Sequence, residues 1–361
     1  MSRPRLRKGA APAGRTTRVR TLAGVAWALL AAAGCDQFED PDIAQIQSLE
    51  PDSGAIGSVV VIEAQNLLDD TVVIFEDEKR SPVNVLFQNP ERVVTIVPQG
   101  AATGDVRLET GGERSSSRFP FTVIPAPPTT PAFFEDDTGS AVSAFLGGCA
   151  ALPSDDGYVE VPLPFAFPFY GRTHELAFVS TNGVITFADP RPCDNRGGTA
   201  DFATADKIAL VGFDLDPGVG GEIRVNAAGP DRVIVTWDDV ALCNLPETGN
   251  TFQAVLFADG RIRMNFGYLS TRGIGVSGCE PDVFNTIVTG SVTGITPLAP
   301  ASLTQVTYST QAPLTVAPRE AVVNRFFVDR FFDLQNRSLL FTPLEEGGVF
   351  SGYRVELLPE G

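Results

Sequence analysis

Asp214 and Asp216 stand at i and i+2 in the segment Lys207–Gly218 (KIALVGFDLDPG). In an extended chain both carboxylates project from one face, where they repel unless a hard cation or backbone amides answer them. Calcium held by this pair, with help from Asp238 or Asp239, is one chemistry the spacing permits. No EF-hand loop or nonapeptide calcium repeat occurs. The pair therefore reads first as a strand end capping its own backbone, and no metal is expected. His174 is the one histidine in 361 residues, which excludes imidazole pairs and most zinc sites. It lies in YGRTHEL (170–176), read as a turn with the ring at the surface. A serine elbow is missing, because Gly275-Val276-Ser277-Gly278-Cys279 breaks the Gly-x-Ser-x-Gly spacing. Gly218–Gly221 is followed by no Lys-Ser/Thr and no helix, so it is no phosphate loop. Catalytic residues and cofactors are thus not expected. A carboxylate pair hidden among the 44 acidic residues is the enzymatic alternative, an envelope hydrolase acting on glycan or protein.

Five cysteines fall into two groups. Cys149, Cys193, Cys243 and Cys279 form no CxxC pair and fit no zinc spacing. An even number without metal spacing is read as two disulfides in an oxidising compartment. Three connectivities are possible; 149–193 with 243–279 closes the shorter loops. Cys35 stands apart. Seven basic residues between Arg3 and Arg20 precede the uncharged run Leu22–Ala33 (LAGVAWALLAAA). Such a run is a secretory signal, too short for a stable span. Its end, Ala32-Ala33-Gly34-Cys35, resembles the bacterial lipobox, with Ala32 where Leu is usual. The resemblance implies cleavage before Cys35 and a diacylglyceryl thioether on its sulfur. Asp36 resembles an inner-membrane retention signal of enteric bacteria, and either envelope membrane stays open. Residues 1–34 are thus the signal peptide and 35–42 a polar tether.

Loss of the signal peptide changes the charge. The formal net charge of −17 includes seven basic and no acidic side chains from residues 1–34, so 20 basic face 44 acidic groups in the remainder. That surface repels nucleic acid and anionic headgroups. The membrane is then reached through lipidated Cys35, and the remaining partner is an unknown protein or glycan.

The elements that must position these residues are strands. Gly and Pro, 35 and 28 in number, punctuate β-branched and aromatic runs, which predicts an all-β chain. In residues 43–124 the runs SVVVIEAQNL, TVVIFE, RVVTIV, VRLET and FPFTVI predict a small sandwich. Val106, Leu108 and Thr110 share one face of their strand. Ile46–Gly54, then Gly57 and Asn66-Leu67, then Thr95–Pro98 and Gly104-Asp105-Val106 resemble the IPT/TIG family. This resemblance implies an immunoglobulin-like fold serving as spacer, adhesion or dimerisation unit. Residues 125–132 (PAPPTTPA) read as a semi-rigid linker.

Beyond the linker, a larger disulfide-bearing antiparallel β domain is expected over 133–296, with 297–361 as flanking strands. Asn182-Gly183 and Asp259-Gly260 predict two hairpins with type I′ turns. Around the second, Phe252, Ala254 and Leu256 face a core, while Gln253, Arg261, Arg263 and Asn265 face water. Phe327, Phe331 and Leu334 fall at helical spacing in RFFVDRFFDL. Phe165–Gly171, Ser180–Gly183, Phe213–Asp216, Gly221–Ile223, Trp237, and Thr251-Phe252-Gln253 with Asp259–Ile262 occur in an order similar to the nidogen-like (NIDO) extracellular family. Phe213 stands where that family more often has Trp. The resemblance implies a non-catalytic extracellular or cell-surface protein. The expectation is therefore an envelope-anchored adhesive or structural binding protein, with a calcium-dependent adhesion module as a further alternative.

Overall fold

The computed structural model describes residues 43–76, 79–80, 87–115, 117–125, 132–148, 154–191, 202–212, 214–243, 245–270, 274–276, 288–326 and 332–358. Cys35, Cys149, Cys193, Phe213, Cys279, Phe327 and Phe331 lie outside them, as does most of the Pro-rich linker.

The first sandwich is built from β1 (Gln45–Glu50), β2 (Ser53–Gly54), β3 (Val59–Gln65), β4 (Val72–Glu76) and β5 (Lys79–Arg80). It continues with β6 (Phe87–Asn89), β7 (Arg92–Ile96), β8 (Ala102–Thr110), β9 (Glu113–Arg114) and β10 (Phe119–Val123). One sheet runs β1-β3-β7-β6 and the other β2-β10-β8-β4-β5, with β9 on β8. Val106, Leu108 and Thr110 are all buried, as the period-two pattern requires.

Next come β11 (Ser140–Ala141), β12 (Tyr158–Phe169), β13 (Arg172–Ser180), β14 (Val184–Thr186) and β15 (Lys207–Ala209). They are followed by β16 (Glu222–Asn226), β17 (Arg232–Leu242), β18 (Leu245–Phe257), β19 (Ile262–Leu269), β20 (Ile274–Val276) and β21 (Val288–Thr296). The chain finishes with β22 (Ser302–Gln305), the helical turn α1 (Tyr308–Gln311), β23 (Leu314–Val316), β24 (Glu320–Phe326), β25 (Arg337–Glu346) and β26 (Val349–Leu358). These strands make two large sheets, β11-β16-β17-β18-β19-β25-β26-β23 and β12-β13-β14-β15-β21-β24-β22, with β20 on β21. The architecture is all-β and largely antiparallel. Strands from the tail enter both large sheets. The expected helix at 325–334 is replaced at its start by β24, and Phe332 and Leu334 are buried in the core.

The two large sheets bury a continuous core that includes Phe167, Phe169, Trp237, Phe252, Phe266 and Phe341. Each such side chain contributes about 1.5–3 kcal/mol on burial. Trp237 stacks on Phe252 with ring centroids 4.9 Å apart, and its Nε1–H is shared between the carbonyls of Ser180 and Thr181 on the opposite sheet. Val59, Val61, Val94 and Ile96 of the first sandwich join the same core. Val59 N–H donates to Ser270 O at 2.9 Å, and Ser58 Oγ lies 2.7 Å from Tyr268 Oη. Asp40–Gly361 accordingly forms one compact unit. Buried side chains hold the first sandwich against the second.

Both expected hairpins exist, but not with type I′ turns. Ser180 and Val184 flank three loop residues, 181–183, and Gly183 alone of these has positive φ, at 74°. At the second hairpin Gly260 N–H donates to Phe257 O at 2.8 Å and Gly260 has φ of 86°. That is a three-residue loop closed by a left-handed glycine. Two-residue turns with both φ positive lie elsewhere, at Gly111-Gly112, at Gly347-Gly348 and, with a non-glycine residue, at Tyr170 (49°) and Gly171 (75°) between β12 and β13. Tyr170 accepts this conformation because its ring is packed edge-on against Phe169 and Tyr353, and its hydroxyl donates to Glu320 O at 2.8 Å.

The face expected to be wet around the second hairpin is covered at Gln253 and Asn265, while Arg261 near the tip keeps its side chain exposed. Gln253 and Asn265 are fully buried, and Gln253 exchanges hydrogen bonds with the backbone of Glu135. Thr236, Gln253, Asn265 and Ser338 form a hydrogen-bonded ladder across four adjacent strands. Period two alone could not separate a solvated polar face from one closed by residues 132–136.

Candidate functional site

Three loops converge beside the Trp237 end of the core. Leu215 bridges to Leu242, with Asp216 N–H donating to Ala241 O, which fixes Asp214 and Asp216 on an extended backbone. Both side chains are buried, at 2% and 7% exposure. Asp216 Oδ1 accepts the N–H of Gly218 at 2.7 Å, closing a short turn on itself. The loop ahead of β12 brings Asp155 and Asp156. Thr181 Oγ1 donates to Asp155 O at 2.6 Å and ties this loop to the β13–β14 turn. Asn182 completes the junction: Nδ2 donates to Asp156 Oδ1, and Oδ1 accepts the N–H of Leu215, both at 2.8 Å.

Four carboxylates therefore share one region. The Asp155 carboxyl is pushed up to about 7, first by desolvation and then by the charges of Asp214, Asp156 and Asp216. At neutral pH this group holds a proton part of the time. Ligand atoms of Asp155, Asp214 and Cys243 lie within 4.8 Å of one another. Cys243 is disulfide-bonded, so it offers no thiolate, and the donor set reduces to carboxylate oxygens. Those are hard-cation ligands.

The expected helpers stand apart from this cluster. Asp238 pairs in register with Glu222 across β16 and β17. Burial raises its carboxyl, Glu222 raises it further, and Arg224 opposes both. Asp239 sits at a bulge with φ of 54°, its carboxyl raised by burial and by Asp238. Asp155 and Asp156 take the place assigned to them. The sequence signal was weak, since adjacent acids in SDDGY look like any polar turn. Asn182 was read as a turn residue only.

His174 is not at the surface. Its side chain is 11% exposed, its ring stacks on Phe187 at 4.8 Å, and it meets Phe169 edge-on. The aromatic run of β12 is what covers it: His174 pairs in register with Phe167. Nε2 lies 3.9 Å from Asp206 Oδ2, beyond hydrogen-bond reach, while Asp206 accepts from Arg172 Nη1 at 3.0 Å and from Leu298 N–H at 2.7 Å. Burial lowers the imidazole pKa; Asp206 opposes that shift and Arg172 adds to it.

Among the described residues, cavities open at strand edges of the larger sandwich, two of which bear on the site. One, of about 360 Å³, is lined by Asp137, Asn226, Ala228, Gly229, Asp231, Arg232 and Ile234. Its two carboxylates are not a free pair, because Arg232 binds Asp231 and also Glu135. The other, of about 380 Å³, lies beside the carboxylate cluster, with Ser154, Gly218 and Glu222 in its wall. His174 lines neither. Among the described residues, no helix is long and apolar enough to cross a membrane.

A family model described as NIDO related matches residues 132–343. No curated protein matches the chain. Among solved structures, a protein of unknown function from Bacteroides thetaiotaomicron aligns at 13% identity over 62% of this chain and 67% of its own, with a TM-score of 0.22. Auxiliary nutrient binding proteins from Bacteroides thetaiotaomicron and Bacteroides ovatus each align at 12% identity over 87% of this chain and 86% of theirs, with TM-scores of 0.20. At such TM-scores the likeness carries no argument about fold or function.

Proposed function

The chain belongs to the NIDO-related family, and from that premise we propose a non-catalytic binding protein of the cell envelope, anchored by lipid on Cys35. Signal cleavage leaves Cys35 as the first residue, and two or three acyl chains hold the chain on a bilayer far better than one. The IPT/TIG-like sandwich at 43–124 and the linker at 125–132 carry the larger domain outward. Disulfides 149–193 and 243–279 brace that domain. It binds a protein or glycan of the envelope or its surroundings.

The observation that carries the non-catalytic reading is the placement of His174. The one imidazole is walled by Phe169 and Phe187 and lines neither cavity. A second reading, calcium-dependent adhesion, draws on the convergence of Asp155, Asp156, Asp214 and Asp216. A divalent ion there would relieve their repulsion and displace the proton that Asp155 holds.

Labelling with an alkyne fatty acid tests the anchor. Incorporation into the wild type and its loss in Cys35→Ala are expected; equal incorporation in both refutes the anchor. For the calcium reading, millimolar calcium raises the melting temperature. An unchanged melting temperature ends it.

A further inference from the structure

We infer that the cavity between Asp137, Asn226 and Arg232 binds a neutral sugar residue through its adjacent hydroxyls. This rests on the reading of the chain as a binding protein and names its ligand class.

The cavity is closed by a strap that the larger sandwich ties down at alternate residues. The backbone of Glu135 exchanges hydrogen bonds of 2.9 and 3.1 Å with the Gln253 amide. Asn226 Nδ2 donates to Asp137 O at 2.9 Å, and Arg224 Nη1 donates to Gly139 O at 3.3 Å. Gly139 passes so close to β16 that a Cβ would meet Val225 O at 2.3 Å, and β11 then pairs with β16. Opposite the strap, the β16–β17 loop is fixed by Ala228 N–H on Asn226 Oδ1 at 3.0 Å and by Ala258 N–H on Asp231 O at 2.8 Å. Strap and loop enclose about 360 Å³, with buried Ile234 in the lining. That volume falls in the range of about 300–1,000 Å³ typical of small-molecule sites. Walls already tied in place need little further ordering when a ligand enters.

The lining mixes charges in a way that no single ion satisfies. The Arg232 guanidinium lies 3.5 Å from Asp231 and 3.2 Å from Glu135, and Arg263 also pairs with Glu135. These pairs hold their members in position. Asp137 joins the strap through its carbonyl, which leaves the carboxylate for a ligand. A metal ion or ammonium would face Arg232, whereas a phosphate or carboxylate would face Asp137 and Asp231. Hydroxyls suit both, because each donates and accepts. Asp137 and Asp231 accept from them, and Arg232, with five N–H groups, donates. The Asn226 amide keeps a donor and an acceptor position beyond the two bonds it makes. Ala228 and Ile234 supply carbon for the C–H face of a sugar ring. A peptide suits the place less well. The neighbouring sheet edge is β11, whose two residues are too short a row for an added strand to follow.

Isothermal titration of the purified chain with glucose, galactose, mannose and glucuronate tests this. Saturable binding of at least one neutral hexose is expected, with glucuronate weaker by about tenfold or more because its carboxylate meets Asp137 and Asp231. Asp137→Ala weakens the hexose about tenfold, the scale of one lost hydrogen bond to a charged group. Ala228→Trp fills the cavity and abolishes binding. Both positions are exposed, so both variants keep the wild-type melting temperature. The sugar site is overturned by no binding of any of the three hexoses, by glucuronate binding as tightly as the best of them, or by wild-type affinity in either variant. Each of these outcomes leaves the retention of envelope material by residues 36–361 unaffected. A retained protein, with no sugar bound, would strike the sugar site and keep the binding reading.

Discussion

Asn182 and Asp156 meet at 2.8 Å, Nδ2 donating to Oδ1, and the same amide accepts the N–H of Leu215 through its own Oδ1. One fully buried side chain thereby joins the loop ahead of β12, the β13–β14 turn and the Asp214–Asp216 segment. Asn182→Ala leaves a buried N–H and a carboxylate without this partner, at a cost of about 1–3 kcal/mol. Chemical denaturation should show that loss; a change under 0.5 kcal/mol would mean that water replaces the amide.

The carboxylate cluster makes stability depend on pH. Asp155 binds its proton more tightly in the folded chain, where its pKa is about 7, than in the unfolded chain, where the carboxyl has its ordinary value of 3.8. Its favourable contribution is therefore complete below about pH 4 and is lost as pH rises through about 7. Asp155→Asn should flatten that part of the curve and raise the melting temperature at pH 8. A steeper curve in the variant would contradict the assignment.

His174 acts in the opposite direction. Its folded pKa lies below 6.5, chiefly because of burial. The unfolded chain then binds the extra proton, so stability falls as pH drops below about 6.5. His174→Phe should remove this acid sensitivity while preserving the stack on Phe187. Imidazole titration followed by NMR should give a midpoint below 6.5, and a higher value would refute it.

Tyr170 tests packing against backbone strain. Left-handed φ costs a non-glycine residue about 1 kcal/mol. Tyr170→Gly removes that strain but also the contacts to Phe169, Phe350 and Tyr353. Net destabilisation of about 2–4 kcal/mol is expected, measured by denaturation. A neutral result would show that the ring contributes no more than the strain it offsets. Tyr170→Phe isolates the hydroxyl bond to Glu320, worth about 1 kcal/mol.

Much of the architecture was legible in the sequence. Period-two runs gave the strands of both sandwiches, and the order of motifs from Phe165 to Ile262 pointed to the family. Turn type was not legible, because Asn-Gly favours a type I′ turn only when its asparagine is free. Asn182 is instead held by Asp156 and Leu215, while Tyr170-Gly171, with no such signal in its sequence, forms a two-residue turn in which packing outweighs propensity. The wet face around Gln253 failed for a related reason: alternation reports which residues share a face, not what covers it. Half of the carboxylate cluster was visible as Asp214-x-Asp216. Asp155 and Asp156 reach it from some 60 residues upstream, a contact that only the sheet topology creates.

Retention of envelope material by immobilised residues 36–361, followed by mass analysis of what is eluted, tests the central claim most directly. A saturable component recovered with unchanged mass is predicted. Recovery of that component in shortened or hydrolysed form, or no retention at all, would contradict a non-catalytic binding protein.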